Sequence, residues 1–220
     1  MAKLLFQGHG SLRFMSDSGQ VVFVDPFVGE GYDAPADLIL VTHQHVDHNN
    51  TELCTQKPGC KIITNSEALA GGKYNSFDID GINVQAVAAY NKNHGVEKCV
   101  GYIITIDGIK VYCSGDTSRT AEMEDFAAMN LDYAILCGDG QFNMSMDEAA
   151  DCAELIGAKH NIIIHTSPGL FHVDHLKGIK KWLSSFFPKG KLYDAEKTAA
   201  WKGPNKLVLP AGEEIELVAG

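Results

Sequence analysis

Four potential metal ligands stand within six residues at His43-Gln44-His45-Val46-Asp47-His48. Imidazole nitrogen and carboxylate oxygen suit zinc and similar divalent cations. In extended backbone His43 and His45 point the same way, and Asp47 and His48 can turn toward a second position just beyond. One loop can therefore serve two adjacent cations. The bland alternative is a His-rich surface loop, but three histidines and an aspartate directly behind the apolar run LILVT argue against it. Three later residues are placed alike: His94 follows INVQAVAAY, Asp116 follows KVYCSG and His165 follows NIII. Singly, each is explained by a loop hydrogen bond or a cap. Together the seven make five histidines and two aspartates, enough to fill two metal spheres and leave positions for water.

Chemistry of this kind needs strands that end on one rim. Short runs at Lys3–Gln7, Ser11–Met15 and Gln20–Val24, split by Gly-containing turns, predict strands. Leu38–Thr42 predicts a strand buried on both faces. Further strands are expected at Lys61–Thr64, Ile82–Ala88, Gly101–Ile106, Lys110–Cys113, Tyr133–Cys137, Asn161–Ile164 and Lys206–Leu209, with a hairpin turn at Asp107-Gly108. The clearest helix starts at Ser145, where Ser145 and Glu148 form a capping-box pattern. Ala149, Cys152, Ala153 and Ile156 give it one apolar face, and Gly157 stops it. A second helix is expected near Asp174, with Leu176, Ile179, Trp182 and Leu183 inward; weaker candidates are Ser66–Ala70 and Ala121–Met129. Strands with interspersed helices give an α/β or α+β class, and periodicity alone does not choose the architecture.

Composition narrows the partners. The 220 residues carry a net charge of −10, and no basic stripe stands against it, so a nucleic-acid backbone is disfavoured. The densest basic stretch, Lys177 to Lys191, reads as a solvated helix face. Nothing approaches the roughly 20 apolar residues of a membrane span. The six cysteines form no C-x-x-C pair, and the N-terminal apolar run is too short for a secretory signal, so a reducing, cytoplasmic location is expected. There is no G-x-S-x-G, P-loop or Rossmann fingerprint. Without a linker or repeat, residues 1–220 are expected to form one domain.

The order H-x-H-x-D-H, a distant His, Gly-Asp-Thr and a final His resembles the metallo-β-lactamase superfamily. Gly8-His9-Gly10-Ser11-Leu12-Arg13-Phe14, Val24-Asp25-Pro26-Phe27, Ala89-Tyr90-Asn91, Ser114-Gly115-Asp116-Thr117 and Met146–Ala150 are similar to its small hydrolase branch, which includes the L-ascorbate-6-phosphate lactonases. The resemblance implies a four-layer αββα sandwich with the metal site at one edge of two sheets. It implies that His43, His45 and His94 hold one cation, that Asp47, His48 and His165 hold a second, and that Asp116 bridges them. Asp25 would orient the metal loop from beneath. Two departures, Gly95 after His94 and Thr166 after His165, border the substrate side, so the lactonase's own substrate does not carry over.

The expected activity is hydrolysis by a metal-bridging hydroxide, with Asp47 and Asp116 as the catalytic carboxylates. Zinc comes first among the metals, with manganese, iron or nickel as alternatives. The expected substrate is a small, anionic ester, lactone or phosphodiester. His9, Tyr90, Asn91 and His172 are candidates for the substrate pocket. Against these stand a turn role for His9, core packing for Tyr90 and a helix cap for His172 and its neighbour His175. Two other functions compete: a non-catalytic metal-binding module, and a di-iron redox protein. Di-iron relatives carry Glu where His45 stands here and join a flavin-binding domain, and this chain has neither.

Overall fold

The computed structural model describes residues 1–167 and 193–220. Its strands pair into two mixed six-stranded sheets. In the first, β1 (Lys3–Gly8), β2 (Ser11–Met15), β3 (Val21–Val24), β4 (Ala36–Leu40) and β5 (Gln56–Ile63) follow chain order, and β12 (Glu214–Glu216) closes the far edge against β1. The second runs β6 (Ser76–Ile79), β7 (Ile82–Ala88), β8 (Val100–Ile106), β9 (Ile109–Cys113), β10 (Tyr133–Cys137) and β11 (His160–Ile164). Pairing is parallel for β3–β4–β5 and for β9–β10–β11, and antiparallel elsewhere. The class expected from the sequence is therefore observed, two sheets face to face with helices outside.

Alternation puts one row of apolar side chains from each sheet between them. Leu4, Phe6, Phe14, Val22, Leu38 and Leu40 of the first sheet meet Val84, Tyr102, Ile104, Val111, Ile135 and Ile162 of the second. The opposite row of the second sheet, including Tyr112, Leu136 and Ile163, is covered by helix α2 (Met146–Ile156) and by Trp201 after α3 (Ala195–Ala200). In α2 the buried positions are Ala149, Cys152, Ala153 and Ile156, the expected face, and Gly157 ends it at φ 66°. Only half of the expected capping box forms. Ser145 accepts from the Glu148 N–H, while the Glu148 carboxylate accepts from the Arg119 N–H at 2.9 Å.

Other boundaries move for visible reasons. β5 starts at Gln56, five residues before the expected Lys61: Gln56 pairs with Ala36, and the register shifts across Pro58-Gly59 before pairing resumes with Lys61 opposite Leu38. Thr64 is not strand but the N-cap of α1 (Asn65–Ala68), in a full capping box with Glu67. Ala121–Met129 winds as a 3-10 helix that buries Met123 and Phe126, three residues apart. Lys206–Leu209 is not a strand; it touches β11 through a single bridge, Asn161 to Lys206, and Lys206 Nζ turns back to the carbonyls of Ala199 and Trp201. The helix expected near Asp174 lies outside the described residues, as do His172 and His175. Among the described residues no helix is long and apolar enough to cross a membrane.

Candidate metal centre

Both sheets deliver their chemistry at one rim. β4 leads through Val41 and Thr42 into His43–His48; β7 leads to His94, β9 to Asp116 and β11 to His165. The β1–β2 turn brings His9, and β3 leads into Asp25. All seven residues of the expected set meet there. Donor atoms of His43, His45 and His94 lie within 4.8 Å of one another, as do those of His43, His48 and Asp116. A third such group joins Asp47, His48 and His165 with His9. Only His45 is exposed; the others are buried.

Asp116 stands between the groups. Its Oδ2 lies 3.7 Å from His94 Nε2 and 4.0 Å from His43 Nε2. Its Oδ1 lies 3.4 Å from His48 Nε2 and 3.5 Å from His165 Nε2. The backbone before it must be tight. Gly115 has φ 60°, and a Cβ there would come within 2.9 Å of the Val100 carbonyl and 3.0 Å of Thr42.

Three histidines are oriented by a hydrogen bond at Nδ1, and a fourth has a carboxylate near that atom. Asp25, buried beneath the loop, accepts from the Thr42 N–H and the Thr42 hydroxyl, both at 2.7 Å, and from His48 Nδ1 at 2.8 Å. Because the Thr42 hydroxyl spends its hydrogen on Asp25, its oxygen accepts from His43 Nδ1 at 3.0 Å. That assigns the His43 proton to Nδ1 and leaves the Nε2 lone pair toward Asp116. Asn91 Oδ1 accepts from the backbone N–H groups of Asn93 and His94 and from His94 Nδ1 at 2.9 Å, which fixes the same tautomer. His165 Nδ1 sits 3.4 Å from Asp139 Oδ2. Outer partners of this kind fix ligand orientation and tautomer in metal sites.

The inward atoms are otherwise unserved. His43 Nε2, His48 Nε2, His165 Nε2 and Asp116 Oδ1 are buried with no hydrogen-bond partner among the described residues. Leaving such atoms unpaired costs about 1–3 kcal/mol each. His94 Nε2 faces His45 Nδ1 across 3.2 Å, one more pair of ring nitrogens aimed at a common point. The donor set is what borderline divalent cations take.

Charges divide unevenly without a cation. Burial pushes His43 and His94 below the ordinary imidazole range, against the pull of Asp116. Burial also opposes the charge on His48, but Asp116, Asp25 and Asp47 outweigh it and raise His48 to about 10. His165 is likewise raised against burial by Asp116 and Asp139. Burial would lift Asp47 and Asp116, yet His48 and His165, with His9 at Asp47 and His43 at Asp116, hold both well below the usual carboxylate range. A cation entering this set must displace protons from His48 and His165.

The remaining sequence candidates take definite places. Tyr90 turns away from the cluster: its hydroxyl donates to Glu122 and accepts from the Ala121 N–H. Asn91 serves His94, and its own amide donates to Asn143 Oδ1 and the Phe142 carbonyl. Sequence reasoning missed Thr42 and Asp139. Asp139 follows β10 as the other site residues follow their strands, but a lone aspartate in Gly-Asp-Gly reads first as a turn. It is a turn as well, accepting from the N–H groups of Gln141 and Phe142. Beside the His43–His45–His94 group opens a cavity of about 210 Å³, lined also by Gln44, Asn65, Asn93, Gly95, Lys98 and Cys99.

Two packed mixed sheets with this His/Asp cluster at one edge define a metal-dependent hydrolase of the metallo-β-lactamase type. The chain matches the beta-lactamase superfamily domain over residues 3–165, and it belongs to that superfamily. It is 29% identical over 192 residues to a UPF0173 metal-dependent hydrolase of Pyrococcus furiosus, covering 75% of this chain and 84% of that protein. A UPF0173 metal-dependent hydrolase of Ligilactobacillus salivarius is 28% identical over 185 residues, 74% of this chain and 84% of the relative. Among solved structures, a protein named as a metal-dependent hydrolase from Parabacteroides distasonis superposes with a TM-score of 0.62 at 29% identity, over 82% of this chain and 86% of that one.

Proposed function

We propose that the chain is a two-cation hydrolase acting on a small, anionic ester, lactone or phosphodiester. The observation that carries this is the division of Asp116, one carboxylate oxygen toward His43 and His94 and the other toward His48 and His165. His43, His45 and His94 would hold one divalent cation and Asp47, His48 and His165 the other, with Asp116 bridging. Zinc suits the imidazole-rich set, and manganese, iron and nickel remain open to it. When bound, two such cations lower the pKa of water from 15.7 toward about 7 and polarise the scissile oxygen.

The chain's own residues do the rest. Asp25, Thr42 and Asn91 would hold His48, His43 and His94 in orientation by hydrogen bonds to Nδ1, and Asp139 sets a negative charge 3.4 Å from His165 Nδ1. Asp47 and Asp116, both at the cluster, would carry the proton of the attacking water to the leaving group. The 210 Å³ cavity suits a small substrate, and Lys98 at its wall gives an anionic group a partner in an otherwise acidic molecule. All six cysteines are free thiols, in keeping with a reducing cytoplasmic site of action. Residues 1–220 would act as one domain.

The test is turnover by the zinc- and manganese-loaded protein on simple lactones, bis(p-nitrophenyl) phosphate, a cephalosporin and single-stranded RNA. Preference for the first two is expected. Clear preference for the cephalosporin or the RNA refutes the substrate class, and no turnover of any of the four favours a metal-binding module.

A further inference from the structure

The three-histidine half of the centre and the half around Asp47 differ in how completely protein closes them. The first half offers three imidazoles, one of them exposed, and borders the cavity. The second half contains a fourth side chain, His9, which is 2% exposed. His9 lies against His165, ring centres 3.7 Å apart and planes tilted by 39°, and its Nε2 is 3.1 Å from Asp47 Oδ2. Donor atoms of His9, Asp47, His48 and His165 all fall within 4.8 Å of one another.

The turn that carries His9 is shaped for this position. His9 itself has φ 52°, a left-handed backbone that few non-glycine residues adopt. It follows Gly8 at φ 125° and precedes Gly10, where a Cβ would come within 3.0 Å of His48 Cε1. The His9 carbonyl accepts from the His165 N–H at 2.9 Å, tying the turn to the end of β11. Strained backbone that persists beside a site is a mark of function. The outer partners of the other histidines, Thr42, Asp25, Asn91 and Asp139, all reach Nδ1 atoms. His9 differs from them: its Nε2 stands among the atoms that would bind.

We infer that His9 is a fourth protein ligand to the cation held by Asp47, His48 and His165, so that this half is the closed, tightly held site and the His43–His45–His94 half is the one open to substrate. The assignment rests on the two-cation centre proposed above. Counting Asp116, which would bridge, this half would have five protein donors and the His43–His45–His94 half four, so a position for water or substrate is left more readily at the latter.

The test is cobalt loading of the wild type, His9→Phe and His9→Asn. Phe keeps a ring against His165 and removes both nitrogens. Asn tolerates the left-handed backbone and covers the case in which Phe does not fold. Competition titration reads each cobalt affinity, and proton NMR of the cobalt-loaded protein counts contact-shifted exchangeable ring N–H signals. The wild type is expected to bind two cobalt ions. Either folded variant should lose one contact-shifted signal and bind one of its two ions at least about 10–100-fold more weakly, the loss that removing even an outer partner of a ligand brings. Two ions in the wild type, with unchanged signals and affinities in both variants, overturn the role of His9 alone. Fewer than two ions in the wild type overturn the two-cation centre, and His9's role with it.

Discussion

Replacing Asp25 by Asn changes one oxygen to an amide and leaves the volume unchanged, so it isolates the charge beneath the metal loop. Asp25 is 2% exposed and takes three donors, the Thr42 N–H, the Thr42 hydroxyl and His48 Nδ1. If the amide oxygen keeps the backbone donor, the NH2 group faces two hydrogens already on Thr42 and His48. Each buried donor left unpaired costs about 1–3 kcal/mol, so the two together cost about 2–6 kcal/mol. For a chain of this length that lowers Tm by roughly 4–24 °C. The Thr42 hydroxyl can escape by turning its hydrogen toward His43, which would flip the His43 tautomer and spoil its ligand atom. Metal affinity should therefore fall as well, by about 10–100-fold. Asp25 is one of three carboxylates holding His48 near 10, so loss of its charge lowers that value in chelator-treated protein. The sign follows from a folded value above the ordinary 6.5. The charged His48 stabilises the metal-free fold fully below that ordinary value, and the benefit disappears as pH rises toward about 10. Wild-type stability should thus decline over this window, and the Asp25→Asn protein should show a shallower decline. Thermal melts from pH 6 to 10 with and without metal, plus a zinc competition titration, read all three effects. A variant with wild-type Tm and wild-type zinc affinity would refute the proposed chain from Asp25 through Thr42 to His43.

Three further outcomes are expected. Asp116→Asn should stay folded yet lose at least one cation and about 10²–10³-fold or more in kcat, the scale of removing a key charge-stabilising group; retained metal content with retained turnover would reduce Asp116 to a turn residue. Asp139 is held near 2 because His165 and the Phe142 and Gln141 N–H groups outweigh burial. A lowered carboxylate value contributes stability above the ordinary 3.8 that is lost as pH falls toward about 2, so Asp139→Asn should flatten the acid limb of metal-free unfolding, and identical acid limbs would disprove the contribution. Lys98→Ala, on an exposed side chain at the cavity wall, should raise KM for an anionic substrate several-fold with little change in kcat, and an unchanged KM would remove Lys98 from substrate binding.

The site was legible where ligand types are dense or sit directly behind apolar runs. His43–His48 announces itself by composition, and His94, Asp116 and His165 by following β-like runs. Asp139 follows such a run too, but a single aspartate between glycines has a sufficient turn explanation, and only its approach to His165 separates the two. The outer partners were harder still: nothing local marks Thr42 as the link between Asp25 and His43, because that link depends on parallel pairing of β3 with β4. In the fold, long alternating or apolar strands were readable. Edge elements were not: β12 has three residues, two of them exposed glutamates, and exists through its pairing with β1. The Lys206–Leu209 run looked like a strand because Leu207 and Leu209 are apolar, yet they serve only to pack against the sheet core.

The most direct test of the two-cation centre is a crystal structure of the zinc-loaded protein with anomalous scattering at the zinc edge. Two peaks are expected on opposite sides of the Asp116 carboxylate, with ligand distances of about 2.0–2.2 Å. His43, His45 and His94 should surround one, and Asp47, His48 and His165 the other. A single peak, or density showing His94 or His165 turned away from Asp116, would contradict it.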